Sequence, residues 1–156
     1  MNNRPKQNSD ALVDAVEMTG DEKKSRVKAM FDTISPHYDL VNDLISLGGT
    51  TRWRKRALKK LSIPTNGSVL DVGTGTGDMV IELRKRRPDL NVEGMDISDG
   101  MLELARKKCP KANFFISDAT LIERDDNTYD AVVNAYVLRN VQNLESALAE
   151  MVRVLK

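Results

Sequence analysis

The stretch Val69-Leu70-Asp71-Val72-Gly73-Thr74-Gly75-Thr76-Gly77-Asp78 limits the folds open to this chain more than any other. Residues 68–72 are few, apolar and β-branched-rich, and they come after the turn signal Thr65-Asn66-Gly67, so they read as a buried strand. Three glycines at alternate positions then let the backbone turn sharply and approach a ligand with no side chain in the way. A helix starting just after would aim its unpaired N–H groups at whatever lies over the loop. The stretch reads as a nucleotide-type binding turn; a tight strand–helix turn with no ligand is the plain alternative.

Beyond the loop the strand–helix unit repeats. The pattern predicts a helix over 78–87, ended by the basic run Arg84-Lys85-Arg86-Arg87 before Pro88, and a strand over 91–95 ending at Asp96. Ser98 is placed to cap a helix whose inner face is Met101, Leu102, Leu104 and Ala105. A strand over 113–117 ends at Asp118, a turn lies at 125–127, and a fourth strand runs over 129–135. The last helix, about 143–155, places Leu144, Ala147, Leu148, Met151 and Leu155 inward. Such alternation predicts an α/β fold with a doubly wound, mostly parallel sheet, Rossmann-like, binding ligands at the strand C-terminal ends. Ahead of this core (65–156), residues 1–20 read as disordered or weakly helical. Residues 21–64 read as helices over 21–31, 41–47 and 51–61 that cover the site, an N-terminal helical extension.

Composition removes several function classes. A net charge of +1 gives no basis for broad nucleic-acid binding through phosphate neutralisation. One cysteine, Cys109, and one histidine leave no disulfide framework and no structural zinc set, so no metal is expected. The N-terminus lacks an apolar signal core and no run approaches the roughly 20 residues of a membrane span, so a cytoplasmic protein is expected.

The spacing of the loop decides which nucleotide it takes. The dinucleotide fingerprint separates its second and third glycines by two residues, whereas here only Thr76 lies between Gly75 and Gly77. No lysine succeeds the loop to hold a triphosphate. Asp96, about 20 residues on, stands where a carboxylate accepts both ribose hydroxyls, and Asp118 stands where one accepts from an exocyclic adenine amine. Each aspartate alone reads equally as a helix cap or a solvated turn. Three acidic strand ends beside one glycine loop suit a nucleoside without phosphates and with a cationic amino-acid tail, S-adenosyl-L-methionine.

Leu70-Asp71-Val72-Gly73-Thr74-Gly75-Thr76-Gly77-Asp78 resembles motif I of class I S-adenosylmethionine-dependent methyltransferases. More specific are Phe31-Asp32-Thr33-Ile34-Ser35-Pro36-His37-Tyr38-Asp39, Met95-Asp96-Ile97-Ser98-Asp99-Gly100-Met101-Leu102 and Tyr136-Val137-Leu138-Arg139-Asn140-Val141, with Met151-Val152-Arg153-Val154-Leu155-Lys156 at the end. Together they resemble the ubiquinone/menaquinone biosynthesis C-methyltransferases from about residue 25 onward. The resemblance implies methyl transfer from S-adenosylmethionine to a ring carbon of a polyprenyl benzoquinol or naphthoquinol of the demethylmenaquinol type. It implies cofactor contacts from Asp71, Gly73, Gly75, Thr76 and Gly77 in the loop, Asp96 on the ribose, Asp118 with Ala119 around the adenine, and Asn134 beside them. The family usually continues past Lys156 with Pro-Gly-Gly and the last strands, so the expected sheet lacks those strands.

For catalysis, a quinol carbon becomes nucleophilic once a neighbouring hydroxyl is deprotonated. His37 titrates near neutral pH, Tyr38 can hydrogen-bond a quinol oxygen, and Arg139 can stabilise a phenolate; a structural corner and a surface ion pair are the plain alternatives. The basic segment from Arg52 to Lys60 offers peripheral contact with an anionic membrane, or else a solvated face. A lipophilic quinol is the expected partner, with a homodimer as an assembly reading and no nucleic acid. Two rivals stay open, a methyltransferase for another small molecule and a non-catalytic cofactor-binding module.

Overall fold

The computed structural model describes residues 25–30 and 62–156. The readings at 1–20, 41–47 and 51–61, and those of His37, Tyr38 and the Arg52–Lys60 segment, lie outside these residues. Residues 25–30 are helical. The core then runs β1 (Ser68–Val72), α1 (Asp78–Arg86), β2 (Asn91–Asp96), α2 (Asp99–Lys108), β3 (Asn113–Ile116), β4 (Ala131–Asn134) and α3 (Leu144–Arg153).

All four strands are parallel, in the order β3-β2-β1-β4. The chain moves outward from β1 through β2 to β3, then returns to place β4 on the other side of β1. That reversal opens a crevice above the C-terminal ends of β1 and β4, where doubly wound sheets bind ligands.

Each face of the sheet carries its own apolar layer. Val69, Val92 and Phe114 pack with Val80 and Leu83 of α1 and with Leu102 and Ala105 of α2. Leu70, Val72 and Met95 pack on the opposite face with Ala147 and Met151 of α3, and with Tyr129 and Val154. A central parallel strand buried on both sides explains why β1 is apolar almost without alternation. Ser98 caps α2, its hydroxyl accepting the Met101 N–H at 3.2 Å, and Asn143 caps α3 through the Ser146 N–H at 3.0 Å.

Several boundaries and inward positions differ from the sequence reading. β4 begins at Ala131; just before it Asp130 exchanges two hydrogen bonds with Ser68, its N–H donating to the Ser68 carbonyl and its carboxylate accepting the Ser68 N–H, each at 2.8 Å, and Tyr129 forms a lone parallel bridge with Leu155. Asn143 caps α3 rather than belonging to it, and the helix ends at Arg153. Of its expected inner face only Ala147 and Met151 are buried; Leu144 and Leu148 are 48% and 44% exposed. In α2, Leu104 is half-buried.

Two polar networks fix the long β3–β4 connection. Arg153 donates to the carbonyls of Arg124 and Ile122 at 2.8 Å and to Asp126 Oδ1 at 2.6 Å, and pairs with Glu150. Glu150 in turn accepts the Ile122 N–H at 2.7 Å. On the sheet, Glu93 Oε2 accepts the Tyr129 hydroxyl at 2.6 Å and Arg124 Nε at 3.1 Å, while the Asn113 amide donates to Oε1. The Arg124 guanidinium also lies over the Phe115 ring, 3.6 Å from its centroid.

Burial, the largest single influence on the Glu93 carboxyl, pushes its pKa up, but the hydrogen bonds from Tyr129, Asn113 and Arg124 outweigh it and hold the pKa below the ordinary value. A lowered folded-state pKa gives stability that is present above the unfolded value, about 4.3, and lost as pH falls below it. Glu93→Gln is therefore expected to cost about 1–3 kcal/mol at pH 7 and less at pH 3, which lies below the unfolded value, where the contribution of the charged carboxylate is being lost. Urea unfolding of both chains at the two pH values measures this; an equal cost at both would show that the carboxylate charge contributes nothing.

Candidate functional site

The glycine loop forms because three successive odd positions adopt left-handed backbone: Gly73 at φ 70°, Gly75 at 55° and Gly77 at 83°. At Gly73 no other residue fits, since a Cβ would lie 2.4 Å from Val137 Cγ2. At Gly75 the reason differs, because a Cβ would meet nothing within 4 Å and would project into open space. Asp71 is buried beneath the loop and accepts the Thr74 hydroxyl at 2.7 Å, while the Thr74 N–H donates to the Met95 carbonyl at 2.9 Å. The loop is thus locked onto the ends of β1 and β2.

Asp96 joins three pieces of backbone. Its Oδ2 accepts the Gly75 N–H at 2.9 Å and its Oδ1 accepts the Ser98 N–H at 3.0 Å. The Asp96 carbonyl also accepts the Ser117 N–H at 3.1 Å, tying β2 to the turn after β3. Carboxylate oxygens accept more than one hydrogen bond each, so the same group can hold the loop and take a vicinal diol. In the turn, Asp118 Oδ1 accepts both the N–H and the hydroxyl of Thr120 at 2.9 Å. The Ser117 hydroxyl donates to the Leu121 carbonyl at 3.1 Å, which keeps the turn tight.

The opposite wall comes from the segment after β4. Tyr136 takes a left-handed φ of 66°, Val137 packs on Gly73, and the Asn140 N–H donates to the Val137 carbonyl at 2.8 Å. Arg139 sits on the turn so formed, its guanidinium 5.6 Å from the Tyr136 ring centroid.

Between the two walls lies a cleft that opens to solvent at the C-terminal ends of the strands. Gly73, Gly75, Asp96, Asp118 and Ala119 line one side, and Tyr136, Arg139, Asn140 and Gln142 the other, with Val27 contributed from the 25–30 helix. α1 and α2 both begin at this end, so their positive dipole ends face it.

Asp71, Thr76, Gly77 and Asn134 are not among the described lining residues. Thr76 is buried towards α2, its hydroxyl accepting Lys108 Nζ at 3.0 Å, and Lys108 pairs with Asp78. Gly77 is the α1 N-cap, and a Cβ there would meet Ala105 and Phe114. Asn134 turns its amide towards Met151 of α3. The sequence reading did not place Ile97, Ser117, Thr120 or Gln142 at the cleft, and it assigned Met101 to the core alone. Thr120 does carry a signal, as a hydroxyl two residues after an aspartate closes an Asx-type turn.

Against known proteins, a family model described as the ubiE/COQ5 methyltransferase family matches residues 18–156. The chain belongs to this family. The ubiquinone/menaquinone biosynthesis C-methyltransferase UbiE of Citrifermentans bemidjiense is 41% identical over 142 residues, covering 86% of this chain and 60% of that protein. The demethylmenaquinone methyltransferase of Renibacterium salmoninarum is 39% identical over 136 residues, covering 87% and 56%. The chain thus spans about 60% of the length of the curated relatives it matches. A chain of the complex between the Haloferax volcanii Trm112 methyltransferase activator and a methyltransferase superposes with a TM-score of 0.67 at 26% identity, over 81% of this chain and 55% of that one. A SAM-dependent methyltransferase from Aquifex aeolicus gives a TM-score of 0.59 at 28% identity, over 66% and 58%. The parallel sheet with flanking helices is the Rossmann-like architecture of class I methyltransferases.

Among the described residues no cluster of three or more His, Cys, Asp or Glu side chains could hold a metal ion, and no helix is long and apolar enough to cross a membrane.

Proposed function

We propose that this chain binds S-adenosylmethionine on the Gly73–Asp96–Asp118 side of the cleft and methylates a ring carbon of a lipophilic polyprenyl quinol on the Tyr136–Gln142 side. The observation that carries the reading is Asp96, whose carboxylate is tied through Gly75 to the one part of the loop where a side chain would have open space to fill. A ligand lying over Gly75 brings its ribose hydroxyls to that carboxylate. Asp118, held in its tight turn, then faces the base from the next strand end. No lysine succeeds the loop to take phosphates, which suits a nucleoside without phosphates and with a cationic amino-acid tail.

Bound there, S-adenosylmethionine supplies an electrophilic methyl carbon on a sulfonium centre. The chain's own share is placement: two reactants held on facing walls of one cleft gain the large advantage of an intramolecular encounter. Arg139 lines the cleft, and in this reading its guanidinium stabilises the phenolate that makes a quinol carbon nucleophilic. On side-chain chemistry alone, His37 is the candidate to take the hydroxyl proton and Tyr38 to hydrogen-bond a quinol oxygen, and on its charge alone the basic Arg52–Lys60 segment is the candidate for a lipid-facing role. The relatives named as menaquinone and ubiquinone C-methyltransferases support a quinol as acceptor.

The test supplies methyl-labelled S-adenosylmethionine with chemically reduced demethylmenaquinone. Label is expected on the naphthoquinol ring carbon. Label appearing only on another small molecule would overturn the quinol reading while leaving the cofactor reading in place.

A further inference from the structure

Tyr136 stands out among the cleft residues because its backbone is strained and its ring is not buried. It takes φ 66°, a conformation that bulky non-glycine residues rarely adopt, and it is 49% exposed. Such strain persists only where the surroundings fix it. Here Val137, the next residue, is pressed against Gly73, and the turn from Val137 to Asn140 is closed by a backbone hydrogen bond of 2.8 Å. The left-handed step is what lets Val137 pack down on the glycine loop while the Tyr136 ring stays on the cleft wall with Arg139. Three residues on, the Arg139 guanidinium carbon lies 5.6 Å from the ring centroid, within cation–π range.

We infer that Tyr136 is a positioning residue: its ring forms the platform that holds the Arg139 guanidinium on the acceptor side of the cleft. For its effect on turnover this rests on the quinol reading; the pairing of ring and guanidinium does not. A flexible arginine on an exposed turn samples many rotamers, and a ring face that attracts its charge selects those directed into the cleft. The attraction is to the face of the ring, so phenylalanine should serve.

Four single variants and one double variant test it: Tyr136→Ala, Tyr136→Gly, Tyr136→Phe and Arg139→Ala, with Tyr136→Ala and Arg139→Ala combined. Tyr136→Ala and Tyr136→Gly are expected to lower kcat about tenfold with S-adenosylmethionine affinity unchanged, and Tyr136→Phe to restore kcat to within about twofold. Glycine relaxes the left-handed backbone, so Tyr136→Gly should melt at or above the parent temperature, which separates loss of the platform from loss of fold. In an Arg139→Ala background, Tyr136→Ala should cost nothing more. Independently of turnover, the Arg139 side-chain protons should show a ring-current shift by NMR that disappears in Tyr136→Ala and stays in Tyr136→Phe. If the parent methylates demethylmenaquinol but Tyr136→Ala does so equally well, the inference is wrong. If the parent transfers no methyl group, the quinol reading fails, and an Arg139 resonance that ignores Tyr136→Ala would then overturn the inference by itself.

Discussion

Replacing Asp96 by alanine is expected to weaken S-adenosylmethionine binding at least about a hundredfold. A hydrogen bond to a charged acceptor contributes about 1.5–3 kcal/mol, and a ribose diol loses two of them, which together exceed the roughly 1.4 kcal/mol that separates each tenfold in affinity. The loss extends beyond the ligand, since the Gly75 and Ser98 N–H groups also lose their acceptor and the loop is no longer held against β2. Asp96→Asn keeps one acceptor oxygen and should fall between the two. Titration calorimetry of the three chains measures the series. Equal affinities would place the ribose elsewhere in the cleft.

Alanine at the first two glycines of the loop should have opposite signatures. At Gly73 the added Cβ lies 2.4 Å from Val137, in a left-handed backbone. Overpacking of this kind costs about 1–3 kcal/mol and the strained conformation about as much again, out of a total stability of about 5–15 kcal/mol. Gly73→Ala is thus expected to melt roughly 10 °C or more below the parent. At Gly75 the added methyl meets nothing, so only the backbone strain remains and the melting temperature should fall by a few degrees at most. Its methyl group occupies the space that a ligand over the loop needs, so cofactor affinity should drop at least about tenfold. Two variants that melt alike would show that Val137 does not press on Gly73, and a Gly75→Ala chain that binds as the parent does would show that the loop does not cradle the cofactor.

Much of this site is legible in the sequence because its signals are local. β1, its glycine turn and the acid at the end of β2 fall within thirty residues of one another and obey simple spacing rules. The helix caps at Ser98 and Asn143 obey equally local chemistry, although the periodicity of the last helix runs on through its cap. The illegible features depend on partners far along the chain. Thr76 turns to Lys108, 32 residues away, and the Asp130 carboxylate caps the Ser68 N–H, 62 residues away. Leu144 and Leu148 have inward helical spacing, yet the part of α3 that touches the sheet is narrower than its apolar stripe. Gly94 reads as an ordinary strand glycine, but a Cβ there would lie 2.8 Å from the Thr74 hydroxyl and 2.9 Å from Phe114. Nothing in the sequence marks Tyr136 as left-handed, because tyrosine carries no preference for that region.

The most direct test of the central claim is a calorimetric titration of the unaltered chain with S-adenosylmethionine and, separately, with NAD. The geometry of Gly75, Asp96 and Asp118 predicts one-to-one binding of S-adenosylmethionine and no heat of binding from NAD. Binding of NAD without S-adenosylmethionine would contradict it.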